Sequence, residues 1–248
     1  MHISAEKFVK KFIDIYLNNK INLKILDFGS YNVNGNIKNF VSKNHNYLGV
    51  DINEGPNVDI IMKDQYIIPL ETNSIDVVIS TSVFEHTEMF WLSFNEIMRV
   101  LKPNGLFYLN APSNGPYHAW PFDCYRFYPD SASALAKWAN ISGYKNVIMI
   151  ESFTGMQDQD VWNDFVSIFI KDKNFISEYP NRIITSKKID FYNGKLFNSE
   201  KIIKESIFTE DQFYKPLKYI SKSEYLFYRA INKLLKFLNR YFFKKNNT

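Results

Sequence analysis

Leu23-Lys24-Ile25-Leu26-Asp27-Phe28-Gly29 is a short apolar run closed by glycine. Such a run, too short for a helix and ended by a turn residue, predicts a buried strand. Working outward, similar runs recur at Tyr47–Ile52, Val58–Met62, Ile75–Ser80, Leu106–Leu109, Val147–Ile150 and Phe165–Ile170. Between them lie stretches with helical spacing. Phe8, Phe12, Ile15 and Tyr16 predict a helix over 4–18, and Phe90, Phe94, Ile97, Met98 and Leu101 predict one over 87–101. Pro103-Asn104-Gly105 is expected to stop that helix and turn the chain. A helical stretch is expected at 35–43, and another from Asp130 or Ser131 to Ile141. Strands alternating with helices make an α/β fold, a mostly parallel sheet with helices on both faces. The last two strands have no helix between them, so an antiparallel pair at one edge is expected.

In such a sheet ligands sit beyond the carboxyl ends of the strands. Polar and small residues gather there, at Asp27–Ser30, Asp51–Ile52, Asp64–Gln65, Ser80–His86 and Asn110–Asn114. Gly29 lets the backbone approach a ligand closely. Asp51, at the end of the second strand, is placed to accept both hydroxyls of a ribose. Asp64 can accept an adenine amino group. A nucleoside ligand follows. The turn Gly29-Ser30-Tyr31-Asn32-Val33-Asn34-Gly35 lacks the GxGxxG fingerprint that admits a pyrophosphate, which counts against NAD and FAD.

With these residues in view, the chain resembles the class I S-adenosylmethionine-dependent methyltransferases of small-molecule type over about residues 22–171. The marks are Ile25-Leu26-Asp27-Phe28-Gly29-Ser30, Gly49-Val50-Asp51, Ser74-Ile75-Asp76-Val77-Val78-Ile79-Ser80, Phe84-Glu85-His86 and Arg99-Val100-Leu101-Lys102-Pro103-Asn104-Gly105-Leu106. The resemblance implies a Rossmann-like seven-stranded sheet with its last strand antiparallel, S-adenosylmethionine as cofactor and S-adenosylhomocysteine as product. It implies that Asp27, Gly29 and Ser30 line the methionine moiety, that Asp51, with Ile52 beside it, holds the ribose, that Asp64 and Gln65 flank the adenine, and that Ser80 lies under the sulfonium. Tyr31 stands where many relatives have a second glycine.

The acceptor side is expected in the loop 112–129, long and dense in aromatics and prolines. Tyr117, Tyr125 and Arg126 are the expected substrate contacts, Arg126 as a clamp for an anionic group. Asp123 pairing Arg126 within a packed lid is the plainer reading. His86 is the first candidate base, with His118 and Asp123 as alternatives. Cys124 reads as packing. Trp162 and Asp164 either close the acceptor pocket or pack and cap the strand. The loop resembles one in methyltransferases of bacterial surface-polysaccharide pathways, which implies a small polar acceptor such as a sugar, a nucleotide-sugar or a phosphoramidate-type precursor of capsule or lipopolysaccharide. The alternatives are an NAD(P)-dependent oxidoreductase or epimerase, and a non-catalytic membrane-associated adaptor keeping the fold.

Composition bounds the rest. Of 248 residues 46% are hydrophobic, which excludes wholesale disorder. The single cysteine excludes an intramolecular disulfide, and four histidines without HExxH or HxH spacing predict no metal. No stretch reads as a signal peptide or spanning helix, so a cytoplasmic protein is expected. The division expected is 1–171 for the cofactor-binding domain and 172–248 for an extension. That extension ends in a basic amphipathic helix over 222–245, with Phe227, Ile231, Leu234, Leu238 and Tyr241 opposite Arg229, Lys233, Lys236 and Arg240. The helix can dock on the domain or on a second copy, lie on an anionic membrane surface, or touch nucleic acid. From Phe213 onward nine Lys or Arg face one Glu, so the net charge of +4 leaves the rest of the chain mildly acidic. That argues against a polyanion across the active face, and no nucleic-acid partner is expected.

Overall fold

The computed structural model describes residues 3–32, 35–156, 162–187 and 189–206, together with 227, 230 and 231. Eight strands form one sheet: β1 (Lys24–Phe28), β2 (Asn46–Asp51), β3 (Ile60–Ile61), β4 (Ile75–Thr81), β5 (Leu101–Pro112), β6 (Ile148–Gly155), β7 (Asp164–Ile170) and β8 (Phe191–Leu196). Their order is β3-β2-β1-β4-β5-β7-β6-β8. The pairs from β3 through β5 are parallel, and β7 runs antiparallel to both β5 and β6. The antiparallel pair is therefore not at the edge, because β7 is inserted between β5 and β6 and β8 covers β6.

The strand alternation sorts side chains onto two faces. Leu26, Phe28, Val78, Phe107, Leu109 and Phe169 pack on one face, where Phe94, Ile97 and Met98 of α2 (Phe90–Val100) and Ala132, Leu135 and Ala139 of α3 (Pro129–Ile141) cover them. Ile25, Val77, Ile79, Leu106, Tyr108 and Ile168 pack on the other, against Phe8, Val9 and Phe12 of α1 (Ile3–Tyr16). Tyr179, Ile183, Ile184 and Ile189 join that second cluster.

Several expectations need correction. The helix expected at 35–43 is a single 3-10 turn, Ile37–Asn39, begun by the Asn36 side chain, which accepts from the Lys38 amide at 2.7 Å, and ended at Phe40. The helix expected from residue 87 begins at Phe90, because Phe84–His86 forms its own 3-10 turn. Pro103-Asn104-Gly105 does not turn the chain out of the sheet. Leu101 is already extended, and the three residues lie within β5, where pairing jumps from Ile75↔Leu101 to Val77↔Leu106. The eighth strand was hidden in a polar stretch. Phe191-Tyr192-Asn193-Gly194-Lys195-Leu196 buries only Phe191 and Gly194, as an edge strand can.

One compact unit runs Met1–Ile207 and a second Phe208–Thr248. In the second, Phe227, Ala230 and Ile231 are helical. The rest of the expected helix over 222–245 lies outside the described residues. Among those described, no helix is long and apolar enough to cross a membrane.

Candidate active site

The loop after β1 is fixed from β2. The amides of Gly29 and Ser30 both donate to the Val50 carbonyl, at 2.9 and 3.1 Å. Asp51 then takes one amide on each carboxylate oxygen, Tyr31 on Oδ2 at 3.1 Å and Asn53 on Oδ1 at 3.0 Å. Each oxygen keeps a lone pair for a ligand hydroxyl. Gly29 has φ +84°, a region glycine alone enters freely. Tyr31, at the position of the missing second glycine, keeps the loop's path by donating its amide to Asp51.

Asp27 is buried at the end of β1 and accepts the Tyr47 hydroxyl at 2.6 Å. Burial pushes its carboxyl up to about 7, the Tyr47 hydrogen bond pulls it back, and the neighbouring Asp51 charge adds to the rise. Tyr47 is a site residue that sequence reading missed. Its signal was slight, a tyrosine two residues into a strand parallel to β1.

The register Asp27↔Ile79 carries Ser80 to the same end of the sheet. Ser30 and Ser80 are both buried, and each hydroxyl oxygen lacks a hydrogen-bond partner. Unpaired buried hydroxyls at adjacent strand ends are open to ligand groups. Ile52 is largely exposed. Asp64 is exposed too and spends Oδ1 on the Tyr66 amide at 2.8 Å, while Gln65 beside it is half-buried.

The acceptor side begins where Ser80 and Thr81 end β4. Val83 lies against Gly29, and the turn Phe84–His86 follows directly. The carbonyl of Glu85 accepts the amides of Cys124 (2.7 Å) and Tyr125 (3.2 Å), which brings the loop 113–128 to this turn. His86 Nδ1 meets the Phe122 carbonyl at 2.5 Å, and its Nε2 lies 3.6 Å from Glu85 Oε1. Burial lowers the His86 pKa, which favours the neutral ring. The His86 and His118 rings stand edge to face at 4.9 Å.

Asp123 and Arg126 do pair. The guanidinium grips both carboxylate oxygens at 2.5 and 2.8 Å, and also donates to the carbonyls of Pro116 and Tyr125. The His118 amide donates to the same carboxylate at 2.7 Å. Burial opposes the Asp123 charge, but the Arg126 bonds, then the His118 amide and the nearby charges, hold the carboxyl at about 2. So weak a proton acceptor is poorly matched to general-base work. Arg126 makes at least four bonds inside the loop, which suits a brace better than a clamp reaching outward. Trp162 packs on His118 at 4.7 Å and fills the space beside Gly115, so it closes the loop from the β7 side. Asp164 is buried at the start of β7. Tyr125 donates its hydroxyl to the Glu88 carbonyl at 2.8 Å. Tyr117, Trp120 and Phe122 stand 79%, 61% and 50% exposed along the loop. The Cys124 thiol is free and exposed.

Glu85 is the acceptor-side residue to which sequence reading gave no role. It is fully buried and neither carboxylate oxygen has a hydrogen-bond partner. Burial pushes its carboxyl up to about 8, its own amide and Arg126 pull it back, and Asp123 and Asp164 add to the rise. Its only signal was adjacency to His86.

Residues 26–109, from β1 into β5, match the family model described as Methyltransferase domain. The match ends within β5 and leaves the loop 113–128 outside it. S-adenosylmethionine, the cofactor that the sequence resemblance implies, is a nucleoside with a charged methionine end. The strand-end site fits that group, with two open serine hydroxyls and a carboxylate free to accept two more hydrogen bonds. No curated protein matches the chain. Among solved structures, the 1,6-didemethyltoxoflavin-N1-methyltransferase of Burkholderia thailandensis, with bound 1,6-didemethyltoxoflavin and S-adenosylhomocysteine, is 14% identical, with a TM-score of 0.54 over 68% of this chain and 79% of that one. The [4+2]-cyclase SpnF is 10% identical, with a TM-score of 0.50 over 67% of this chain and 81% of that one. Both likenesses show the fold, and the second shows that chemistry must be argued from the site.

Proposed function

We propose that the protein methylates a hydroxyl or amine of a small polar acceptor in the cytoplasm, a sugar, nucleotide-sugar or phosphoramidate-type precursor of a surface polysaccharide. The observation that carries this is the contact of Gly29 with Val83, which sets the cofactor loop directly against the turn bearing Glu85 and His86. S-adenosylmethionine supplies a methyl group on an already activated sulfonium. The chain's own task is therefore mainly alignment. Asp51 orients the ribose, and Asp27, Gly29, Ser30 and Ser80 surround the methionine end. On the acceptor side, His86 is held in one tautomer by the Phe122 carbonyl, so its Nε2 is available to take the acceptor's proton. Tyr117, Trp120 and Phe122 leave aromatic surface exposed along the loop that meets the Glu85-His86 turn, in keeping with a sugar-like acceptor.

Calorimetry tests the cofactor half. The protein should bind S-adenosylhomocysteine with micromolar affinity, and Asp51→Ala should abolish the heat. Wild-type protein that gives no heat would overturn the reading.

A further inference from the structure

Glu85, His86 and His118 each offer one ligand atom, and these atoms all lie within 4.8 Å of one another. Carbonyl contacts at Nδ1 of each imidazole bear on which nitrogen is left for a ligand. His86 Nδ1 contacts a carbonyl, which only accepts, so Nδ1 carries the proton and Nε2 presents its lone pair toward Glu85. His118 Nδ1 faces the Pro116 carbonyl at 3.1 Å and Asp123 Oδ2 at 3.2 Å, both acceptors, with Arg126 as a more distant donor at 3.4 Å. Its lone pair therefore falls to Nε2. Ring hydrogen bonds to a carbonyl or carboxylate on the far nitrogen are how proteins orient metal-binding histidines.

Glu85 supplies an independent sign. It is a fully buried carboxylate with no hydrogen-bond partner, and Oε1 confronts an imidazole lone pair at 3.6 Å. Two acceptors facing each other repel unless a proton or a cation lies between them.

We propose that Glu85, His86 and His118 bind a divalent transition-metal ion. Two imidazole nitrogens and one carboxylate oxygen suit zinc, iron, cobalt or manganese better than calcium or magnesium. Ligand bonds of about 2.0–2.2 Å require donor atoms roughly 3–3.5 Å apart. Glu85 Oε1 and His86 Nε2, 3.6 Å apart, nearly meet that already, and the His118 ligand atom lies within 4.8 Å of both. The site rests on the reading of this cluster as the acceptor side and revises one part of it. With the ion bound, His86 Nε2 is a ligand, and the ion lowers the pKa of an acceptor hydroxyl coordinated to an open position. Sequence spacing could not show this, since His118 lies in a different loop from the Glu85-His86 pair.

The full-length protein, stripped with chelator and dialysed, is titrated with Co2+ alone and then Zn2+ alone. One cobalt per chain should bind, with visible ligand-field bands that zinc abolishes. His118→Ala, in a surface loop, should weaken binding at least about tenfold, and so should Glu85→Gln if circular dichroism shows it folded. Wild-type protein without cobalt bands, or His118→Ala with unchanged affinity, overturns the site. S-adenosylhomocysteine calorimetry on the same samples separates the two readings. Its heat without cobalt binding removes the metal and keeps the methyltransferase, whereas cobalt binding without that heat keeps the metal site and removes the function beside it.

Discussion

Gly29 and Val83 are packed so closely that a Cβ on Gly29 would lie 2.1 Å from Val83 Cγ2. Gly29 also has φ +84°. Gly29→Ala therefore meets both backbone strain and a clash, together about 2 kcal/mol or more. The loop must move away from the turn Phe84–His86. S-adenosylhomocysteine affinity should fall at least about tenfold, and Gly29→Ala with Val83→Ala should recover part of it, since the second change removes the clash but not the strain. Calorimetry on both variants checks this.

Asp27 gives a pH dependence with a definite sign. Its folded pKa of about 7 lies above the ordinary carboxyl value of 3.8. The folded state thus holds a proton that the unfolded state has lost, so this stabilisation is full below about 3.8 and disappears as pH rises through about 7. The loss amounts to about 4 kcal/mol at most. Urea denaturation of Asp27→Asn should lack this part of the slope. A cationic cofactor favours the ionised carboxylate, so binding near pH 7 should release a proton. Calorimetry in two buffers of different ionisation enthalpy reads that release.

That Asp27, Gly29, Asp51 and Ser80 gather at one end of the sheet was legible because strand ends declare themselves. Asp27, Gly29, Asp51 and Ser80 each close an apolar run, and parallel strands in register must bring such ends together. The loop 113–128 was legible in composition but not in geometry. Loop 113–128 takes its path from hydrogen bonds to Glu85, Asn163 and Pro112, none of which follows from local periodicity. His118 and Glu85, thirty-three residues apart, meet only because the Glu85 carbonyl captures the Cys124 and Tyr125 amides. Strand β8 was missed for a related reason, since an edge strand with one buried face carries little apolar signal. The tail charge was legible, but what it touches was not, because amphipathicity specifies a face and not a partner.

Arg126 should act as the brace of the acceptor loop. Its planar fork spans Asp123 while reaching the carbonyls of Pro116 and Tyr125, which a lysine cannot reproduce. In Arg126→Lys, backbone amides at His118 and Cys124 should exchange about tenfold faster or more, by hydrogen–deuterium exchange. S-adenosylhomocysteine affinity should change less than about twofold. Unchanged exchange would show that the pair does not hold the loop.

Glu151 stabilises the fold away from the strand ends. It is fully buried in β6, where Oε1 accepts the Tyr16 hydroxyl at 2.6 Å and the Ile183 amide at 2.7 Å, and Oε2 accepts the Ile184 amide at 3.0 Å. One side chain thereby joins α1, the sheet and the segment 183–184. Burial raises its pKa, and the Ile184, Tyr16 and Ile183 hydrogen bonds, with the Arg182 charge, oppose the rise. Glu151→Ala strands a buried hydroxyl and two buried amides, at about 1–3 kcal/mol for each group left unsatisfied. Tyr16→Phe removes one donor and leaves both amides paired, so it should cost only about 1–2 kcal/mol. Urea denaturation should therefore rank Glu151→Ala well below Tyr16→Phe in stability. Equal losses would mean that the amides find other partners and that the carboxylate holds α1 alone.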